Sequence, residues 1–322
     1  MDTEQLKRQS IAVIGGGWSD EREISLQSAT EVRAALLEAG FEAVDLLDLA
    51  GDDFVARISS GAYDVAFVAL HGAYGEDGCI QGLLEVLHIP YTFSGVAASA
   101  AASEKQMAKA LFDEAGIRTP RGVDVPAGAG LTDDQIDQVV ESLGLPLFVK
   151  PVANGSSFGI SRVTSRAALN DAIAAAGSAG GRVLIEECVS GTEITVPVIG
   201  NDDPHALPIV EIVTGAEFYD LKVKYEPSSL HHVIPARLDP GVYAKAQQIA
   251  VDAHKVLGCH GCSRSDFIVT DEGVPVILET NTIPGMTANS LLPDSARHGG
   301  IEFPDLCTRF VRYALEAHEE RA

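Results

Sequence analysis

Three oxygen-bearing side chains in the last quarter of the chain, Asp266, Glu279 and Asn281, have the types and spacing of a metal site. Apolar residues alternate from Asp266 to a turn at Asp271–Gly273, and a second strand returns through Glu279, which predicts a β-hairpin. Strand side chains alternate between faces, so Glu279 and Asn281 share a face and Asp266 lies opposite them. Mg²⁺ prefers oxygen ligands and leaves positions for substrate phosphates. The hairpin therefore predicts a magnesium site; the alternative is a surface hairpin with solvated acids.

A lysine at the end of an apolar strand is a candidate for phosphate binding. Lys150 lies near the end of the strand Leu147–Pro151, and the glycine- and serine-containing loop Asn154–Ser161 follows it. The compact charge of a lysine at this position is well placed to reach a phosphate. The loop predicts a flap that covers phosphates rather than a P-loop, because the pattern G-x-x-x-x-G-K-[ST] is absent. A plain hairpin turn is the alternative.

The first hundred residues alternate between strands and helices. A helix is predicted from Glu23 to Ala39, between strands at Ile11–Ile14, Glu42–Leu47 and Val65–Leu70. This order predicts an open parallel sheet, whose ligands bind beyond the carboxyl ends of the strands. Two glycine loops lie at those ends, Gly15–Gly17 and His71–Gly78. The first lacks a complete G-x-G-x-x-G pattern, which disfavours a dinucleotide site.

Length and charge limit the class of protein. At 322 residues the chain exceeds what one core usually supports, so we expect two or three subdomains that share a cleft. The net charge of −23 argues against nucleic-acid and anionic-membrane partners, which are bound through excess Lys and Arg. No segment has the length and apolar character of a membrane span, so we expect a cytoplasmic protein.

The five cysteines are scattered and do not form a disulfide framework. Cys259 and Cys262 have C-x-x-C spacing with His260 between them, which raises the alternative of a zinc or redox site. No second C-x-x-C pair or His-x-x-x-His pattern completes a tetrahedral site, so buried thiols are favoured.

Several segments, taken in order from about Ile11 to Val311, resemble the D-alanine–D-alanine ligases, a family of ATP-grasp enzymes of peptidoglycan precursor synthesis. The segments that carry the resemblance are Ser19–Leu26, His71–Gly78, Lys150–Pro151 with Gly155–Ser157, Phe218–Asp220 with Lys224–Tyr225, and Arg264–Leu291. Their order and spacing extend over nearly the whole chain.

The resemblance implies an α/β fold of ATP-grasp architecture. An N-terminal open parallel α/β sheet domain would be followed by two α+β subdomains that enclose ATP. We place the N-terminal substrate domain at 1–102, the central ATP-grasp subdomain at 103–188 and the C-terminal catalytic subdomain at 189–322. The implied ligands are D-alanine and ATP, and the implied assembly is a homodimer.

The resemblance assigns ATP and its metal ions residue by residue. Lys105 and Lys150 would meet the α- and β-phosphates, and Lys224 the γ-phosphate. Glu186 and the backbone near Val189 would contact the adenine edge, and Glu193 the ribose hydroxyls. The nucleotide set is Lys105, Lys150, Ser157, Glu186, Glu187, Val189, Glu193 and Lys224. Two Mg²⁺ ions, or Mn²⁺ in their place, would be held by Asp266, Glu279 and Asn281. Taken alone, Lys105 also reads as a surface helix lysine.

The resemblance assigns the amino-acid substrates and catalysis to a second set. Glu21 would fix the ammonium of the first D-alanine with His71 near its carboxylate, and Ser290 with Leu291 would receive the carboxylate of the second. Arg264 and the Gly285 N–H would form the oxyanion hole, and Ser156 and Tyr225 would join Glu21 to close a loop at about Gly215–Ser229. The catalytic set is Glu21, Ser156, Tyr225, Arg264 and Gly285. Taken alone, Glu21 also reads as a solvated residue in the first turn of a helix.

The implied reaction activates a carboxylate. The first D-alanine would attack the γ-phosphate to give an acylphosphate and ADP, and the amine of the second would then attack the carbonyl. Unusual residues such as Trp18 keep open an alternative: an ATP-grasp ligase for another D-amino acid or hydroxy acid, in specialised metabolism or antibiotic self-resistance. Tyr225 favours an amine nucleophile. A regulatory nucleotide-binding module would lack some of Arg264, Asp266, Glu279 and Asn281, and all four are present.

Overall fold

The structure is a computed structural model that describes residues 2–128, 130–152, 159–178, 181–214 and 230–321. Within these ranges the chain forms three β-sheets, one parallel and two antiparallel, with helices packed against them. The predicted site residues Ser156, Ser157, Lys224 and Tyr225 lie outside the described residues.

The first sheet is parallel, with its first strand in the middle. Its strands are β1 (Ser10–Gly15), β2 (Ala43–Asp48) and β3 (Val65–Val68), in the order β2-β1-β3. All four residues of β3 are buried, as expected for a parallel strand covered on both faces. The predicted open parallel sheet is confirmed.

Short connections and helices accompany this sheet along the chain. The helices are α1 (Thr3–Lys7), α2 (Arg22–Glu38), α3 (Phe54–Ile58), α4 (Cys79–Val86) and α5 (Val96–Ser103). Gly40 follows the end of α2 with a φ of +95°, a left-handed conformation that glycine adopts without steric cost. The predicted stop at Gly40 is confirmed, because a glycine in this position commonly ends a helix.

The second sheet is antiparallel and has four strands. They are β4 (Gly122–Pro126), β5 (Leu147–Pro151), β6 (Ser161–Val163) and β7 (Arg182–Glu187), in the order β4-β7-β5-β6. The accompanying helices are α6 (Lys105–Glu114), α7 (Asp133–Leu143) and α8 (Leu169–Gly177). Leu169 and Ile173 of α8 are buried in one core with Leu147 and Val149 of β5.

The third sheet is also antiparallel. Its strands are β8 (Thr192–Ile199), β9 (His205–Ala206), β10 (Val210–Thr214), β11 (Leu230–Val233), β12 (Cys262–Val269) and β13 (Pro275–Asn281). The order is β11-β10-β8-β12-β13, and β9 pairs with β8. The helices that follow are α9 (Pro240–Val256), α10 (Leu291–His298) and α11 (Phe303–Arg321).

Two contacts attach C-terminal helices to the sheets. Phe310 of α11 packs against Phe93, with ring centroids 5.1 Å apart, and so returns the C-terminal helix to the core of the first sheet. His254 of α9 bonds through Nδ1 to the Ser263 hydroxyl of β12 at 2.8 Å. Burial lowers the pKa of His254 to about 4. Helix α9 is thereby attached to the back of the hairpin strand.

Cys259 and Cys262 are buried free thiols, as the sequence favoured. Among the described residues, no helix has both the length and the apolar character needed to cross a membrane. The predicted subdomain boundaries after residues 102 and 188 stay predictions.

Candidate functional site

The hairpin of β12 and β13 fixes the register of four side chains of the candidate site. Asp266 pairs directly with Glu279, and Arg264 with Asn281, so the four share one face of the sheet. The predicted hairpin with Asp266 opposite Glu279 is therefore confirmed. After Asp266 a β-bulge shifts the register, and bulges of this kind often re-aim side chains next to active sites.

The Asp266 carboxylate is held from two directions. Its Oδ1 accepts hydrogen bonds from the Thr195 hydroxyl of β8 at 2.5 Å and from Arg264 Nε at 3.0 Å. Its Oδ2 accepts from Arg264 Nη2 at 2.9 Å. Arg264 is buried, so a bidentate ion pair fixes both the carboxylate and the guanidinium.

More acidic groups surround this pair, together with one lysine. Lys105, the first residue of α6, places its Nζ 3.4 Å from Glu279 Oε2. Burial, and after it the charges of Asp266 and Glu279, raise the pKa of Glu193 on β8 to about 7. The carboxylates of Asp266 and Glu279 disfavour the ionisation of Glu193, which indicates a place that a cation would stabilise.

A second charged group forms between α6 and the four-stranded sheet. Phe148 pairs with Glu186, which makes Lys150 a diagonal neighbour of Glu186 on the same face. Lys150 Nζ lies 2.5 Å from Glu186 Oε2, and Lys109 Nζ contacts Oε1 of the same carboxylate. Two ammonium groups on one buried carboxylate leave a net charge of about +1 in the trio, which suits a phosphate ligand.

The residues after Glu186 have different surroundings. Glu187 accepts hydrogen bonds from Arg121, at 2.9 Å from its N–H and 2.8 Å from its Nε. Burial acts to raise the pKa of Glu187, but the hydrogen bonds from Arg121 outweigh it and the pKa lies below its usual value. Val189 is half-buried just beyond the end of β7.

Glu21 and His71 lie in loops that follow β1 and β3, and Ser19 connects them. The Ser19 hydroxyl donates to the His71 carbonyl at 2.7 Å and accepts from the Glu21 N–H at 3.3 Å. His71 Nδ1 is 3.8 Å from Glu76 Oε1. Its buried Nε2 has no hydrogen-bond partner among the residues that the structure describes. Buried polar atoms are usually paired, so this nitrogen fits a polar ligand.

In the loop after β13, Gly285, the predicted oxyanion-hole glycine, packs against Ser290, which is predicted to bind the carboxylate of the second D-alanine. A side chain at Gly285 would place its Cβ 2.9 Å from Ser290 Oγ, closer than packing allows. Ser290 Oγ also accepts the Thr287 N–H at 3.1 Å, and Leu291 begins α10 as a buried residue. Gly285, Ser290 and Leu291 therefore form one small cluster.

This loop is attached to α2, the helix that begins directly after Glu21. Ser28 Oγ accepts the Met286 N–H at 3.4 Å, and Glu31 Oε2 accepts the Ala288 N–H at 2.5 Å. The two predicted amino-acid subsites are therefore connected through one helix.

Two family models match the chain, "D-ala D-ala ligase N-terminus" over residues 50–94 and "D-ala D-ala ligase C-terminus" over residues 111–312. A D-alanine–D-alanine ligase of Desulforamulus reducens is 43% identical over 310 residues, which cover 95% of this chain and 98% of that protein. The corresponding ligase of Pelotomaculum thermopropionicum is 44% identical over 309 residues, 95% of this chain and 96% of its own.

The chain belongs to the D-alanine–D-alanine ligase family. The crystal structure of the Bacillus anthracis D-alanine–D-alanine ligase complexed with ATP matches with a TM-score of 0.84 at 31% identity and covers 98% of this chain and 100% of that one. The predicted ATP-grasp fold is confirmed. So is the predicted activity, an ATP-dependent, ADP-forming ligation of two D-alanines. The alternative of a different amino acid or a hydroxy acid is not favoured by these relatives.

Ligases of this family use ATP and depend on Mg²⁺, and the hairpin residues fit that ion. Asp266 and Glu279 offer carboxylates, and Asn281 offers an amide oxygen that accepts only the Ile283 N–H, at 2.8 Å, in the described parts of the chain. In those same parts, no group of three or more His, Cys, Asp and Glu side chains is arranged to hold a metal unaided. A site completed by substrate phosphates is typical of Mg²⁺.

Three residues of the site were missed by reasoning from the sequence: Ser19, Lys109 and Thr195. Lys109 had a usable signal, because it lies four residues after Lys105 and therefore on the same face of α6. Thr195 lies two residues after Glu193 on β8, so the two side chains share one face of the strand. Ser19 had no comparable signal, because its partner His71 is remote in sequence.

Proposed function

We propose that this ligase divides its reaction between two groups of residues around the β12–β13 hairpin. One group binds and neutralises the nucleotide, and the other holds the two D-alanines. The observation that carries the proposal is the pairing of Asp266 with Glu279 beside Arg264 and Asn281, with Lys105 on Glu279. This arrangement supports the proposal because it brings together side chains that would serve as cation ligands, as a phosphate-binding lysine and as an oxyanion donor.

The described residues of the nucleotide group come from α6 and from the second and third sheets. Lys105 and Lys150 meet the α- and β-phosphates, with Lys224 at the γ-phosphate and Ser157 in the covering loop. Glu186 and the backbone at Glu187–Val189 receive the adenine edge. Glu193 receives the ribose hydroxyls. The trio of Glu186, Lys150 and Lys109 supports this assignment, because it supplies local positive charge in a chain of net charge −23.

Asp266, Glu279 and Asn281 would hold the magnesium ions. When bound, Mg²⁺ supplies charge neutralisation and orientation for the phosphates during transfer. Arg264 is adjacent to these ligands through its ion pair with Asp266. It adds positive charge near the transferring phosphoryl group and donates to the later oxyanion together with the Gly285 N–H.

The substrate group orients two amino acids. Glu21 binds the ammonium of the first D-alanine, and His71 donates toward its carboxylate. That carboxylate attacks the γ-phosphorus, the bond to ADP breaks, and an acylphosphate forms. The amine of the second D-alanine, whose carboxylate rests on Ser290 and the Leu291 N–H, attacks the carbonyl and expels phosphate. Ser156 and Tyr225 close the site, which protects the acylphosphate from water.

The cellular setting is part of the proposal. We infer a cytoplasmic homodimer that supplies D-alanyl-D-alanine for peptidoglycan precursors, because ATP and the free amino acids are cytoplasmic. Light scattering after size-exclusion chromatography tests the assembly: a mass twice the 33.9 kDa of the chain supports the dimer, and a mass equal to it contradicts the dimer.

The activity is tested by ADP release coupled to dipeptide detection. Purified protein with ATP, Mg²⁺ and D-alanine should release ADP and D-alanyl-D-alanine in equal amounts. L-alanine or an excess of chelator should stop both. Equal rates with D- and L-alanine, or full activity in chelator, would contradict the proposal.

A further inference from the structure

Helix α6 carries two lysines on one face whose partners lie in different sheets. Lys105 contacts Glu279 of β13, and one turn later Lys109 contacts Glu186 of β7. Lys109 also donates from Nζ to the Pro120 carbonyl at 2.5 Å, which anchors it to the segment between α6 and β4.

The two lysine partners differ in their exposure to water. The side chain of Glu279 is 41% exposed, whereas that of Glu186 is 3% exposed. An exposed carboxylate is solvated when its lysine moves to a phosphate. A buried carboxylate that loses its lysine is not solvated, and an uncompensated buried charge is strongly unfavourable. Glu186 therefore needs a cation that stays in place.

Lys150 cannot be that cation throughout the reaction. It also contacts Glu186, but in the proposed function it moves to the nucleotide phosphates. Lys109 is the remaining cation on Glu186 among the described ion pairs. Its anchor at Pro120 keeps it beside the carboxylate.

The space around Glu186 allows little movement. A Cβ at Gly122, which pairs with Glu186 across β4 and β7, would lie 2.9 Å from Glu186 Cγ. The glycine thus lets the glutamate stem lie flat against β4. With Gly122 on one side and two lysines at its oxygens, the carboxylate has one defined position.

We propose that Lys109 is a positioning residue of the nucleotide site, which holds Glu186 in place to accept a hydrogen bond from the 6-amino group of adenine while Lys150 serves the phosphates. The proposal rests on the proposed role of Glu186 in base recognition. A 6-oxo purine presents an acceptor at the same position and is repelled by the carboxylate. Loss of Lys109 therefore reduces selectivity between purines as well as affinity.

The test uses the full chain and two nucleotide probes without D-alanine. Dissociation constants for Mg²⁺–ADP and Mg²⁺–IDP, which differ at the 6-position of the base, are measured by calorimetry. The variants are Lys109→Met, which removes the charge, and Lys109→Arg, which keeps the charge and the donors. Arg166→Met is the matched control, because Arg166 forms exposed ion pairs with Asp133 and Asp137 beside the same sheet.

The wild type should bind ADP in preference to IDP. Lys109→Met should bind ADP about 30-fold more weakly and lose most of the preference, as expected when one partner of a buried charge pair is removed. Lys109→Arg should restore the preference, and Arg166→Met should match the wild type. Wild-type affinity and preference in folded Lys109→Met would overturn the proposal, as would an equal loss for ADP and IDP.

A variant that fails to fold and a failure of the proposed function can both be distinguished from a negative binding result. If Lys109→Met does not fold, Lys109→Gln keeps an amide donor for Pro120 without the charge and is judged by the same outcomes. Binding is measured without turnover, so absent ligation by the wild type would refute the proposed function and leave the nucleotide comparison intact. A wild type that binds ADP and IDP equally would overturn the inference.

Discussion

The hairpin half and the loop half of the proposed active site are built by different means. In the hairpin half, strand register sets the relative positions of Arg264, Asp266, Glu279 and Asn281. Hydrogen bonds from β8 and from α9 support the hairpin on its side and on its back. In the loop half, Glu21 and His71 depend largely on Ser19 and on turns between strand and helix.

This difference matches the function proposed for each half. Phosphoryl transfer needs charges fixed before the reaction begins, because reorganising them during the reaction would be costly. Binding of a small amino acid needs a few directed hydrogen bonds, and loops on a rigid scaffold supply these. The hairpin half should therefore respond to loss of charge, and the loop half to loss of single hydrogen bonds.

The largest effect is expected for Glu279→Gln in the hairpin half. The change removes a negative charge from the proposed magnesium site but keeps the shape of the side chain, so kcat should fall at least about 100-fold while the melting temperature stays the same. Turnover and thermal unfolding are measured together. Glu272→Gln, at the exposed turn of the same hairpin, is the control. Normal turnover of Glu279→Gln would remove Glu279 from the site.

His254 tests the support behind the hairpin through pH. Its pKa is about 4 in the folded protein, below the usual 6.5, because it is buried. Between these values the unfolded chain binds the proton and the folded chain does not, so stability falls as the pH falls. From pH 7 to pH 5 this histidine should cost the folded state about 2 kcal/mol.

Chemical denaturation at both pH values measures this cost. His254→Gln should lack it, and therefore lose less stability on acidification than the wild type does. His298→Gln, at an exposed histidine on α10, should behave as the wild type. The same pH slope in all three proteins would show that His254 is not the titrating support.

A smaller effect is expected for Ser19→Ala in the loop half. Loss of the hydrogen bonds to His71 and Glu21 removes about 1 kcal/mol of positioning, so the KM for the first D-alanine should rise about fivefold with little change in kcat or in the KM for ATP. Ser60→Ala is the control, because its hydroxyl makes a similar bond to the Arg57 carbonyl at a distant exposed turn. If Ser19→Ala changed the KM for ATP as much as the KM for the first D-alanine, the role of Ser19 would not be confined to the loop half.

The smallest effect on rate is expected for Tyr225→Phe, which concerns the closing loop. Tyr225 lies outside the described residues, so this prediction rests on the resemblance in the sequence. Loss of a neutral hydrogen bond costs about 0.5–1.5 kcal/mol, but the variant should gain some D-alanyl-D-lactate at low pH, where free amine is scarce. Mass spectrometry of products from pH 6 to 9 checks this. An unchanged product ratio at every pH would exclude Tyr225 from the choice of nucleophile.

The two halves also differ in how far the sequence could predict them. The period-two pattern around Asp266 and Glu279 was sufficient to place them opposite each other, because strand geometry converts spacing directly into position. No pattern in the sequence predicts the bulge after Asp266. In the loop half, the resemblance named Glu21 and His71, but the bond that joins their loops connects residues 52 positions apart.

Lys109 shows the same limit within a helix. Its spacing from Lys105 predicts a shared face, but no local pattern predicts that the two lysines contact different sheets. Such partners depend on tertiary packing, which hydrophobic periodicity alone does not specify.

The central proposal is that one site activates a carboxylate by phosphorylation and then forms the peptide bond. D-alanine labelled with ¹⁸O in its carboxylate tests this most directly, because the attacking oxygen leaves with the phosphate when the amine displaces it. During dipeptide synthesis with unlabelled ATP, mass spectrometry should find one ¹⁸O in each phosphate released. Phosphate without ¹⁸O would mean that water, and not D-alanine, attacks ATP, and would contradict the account.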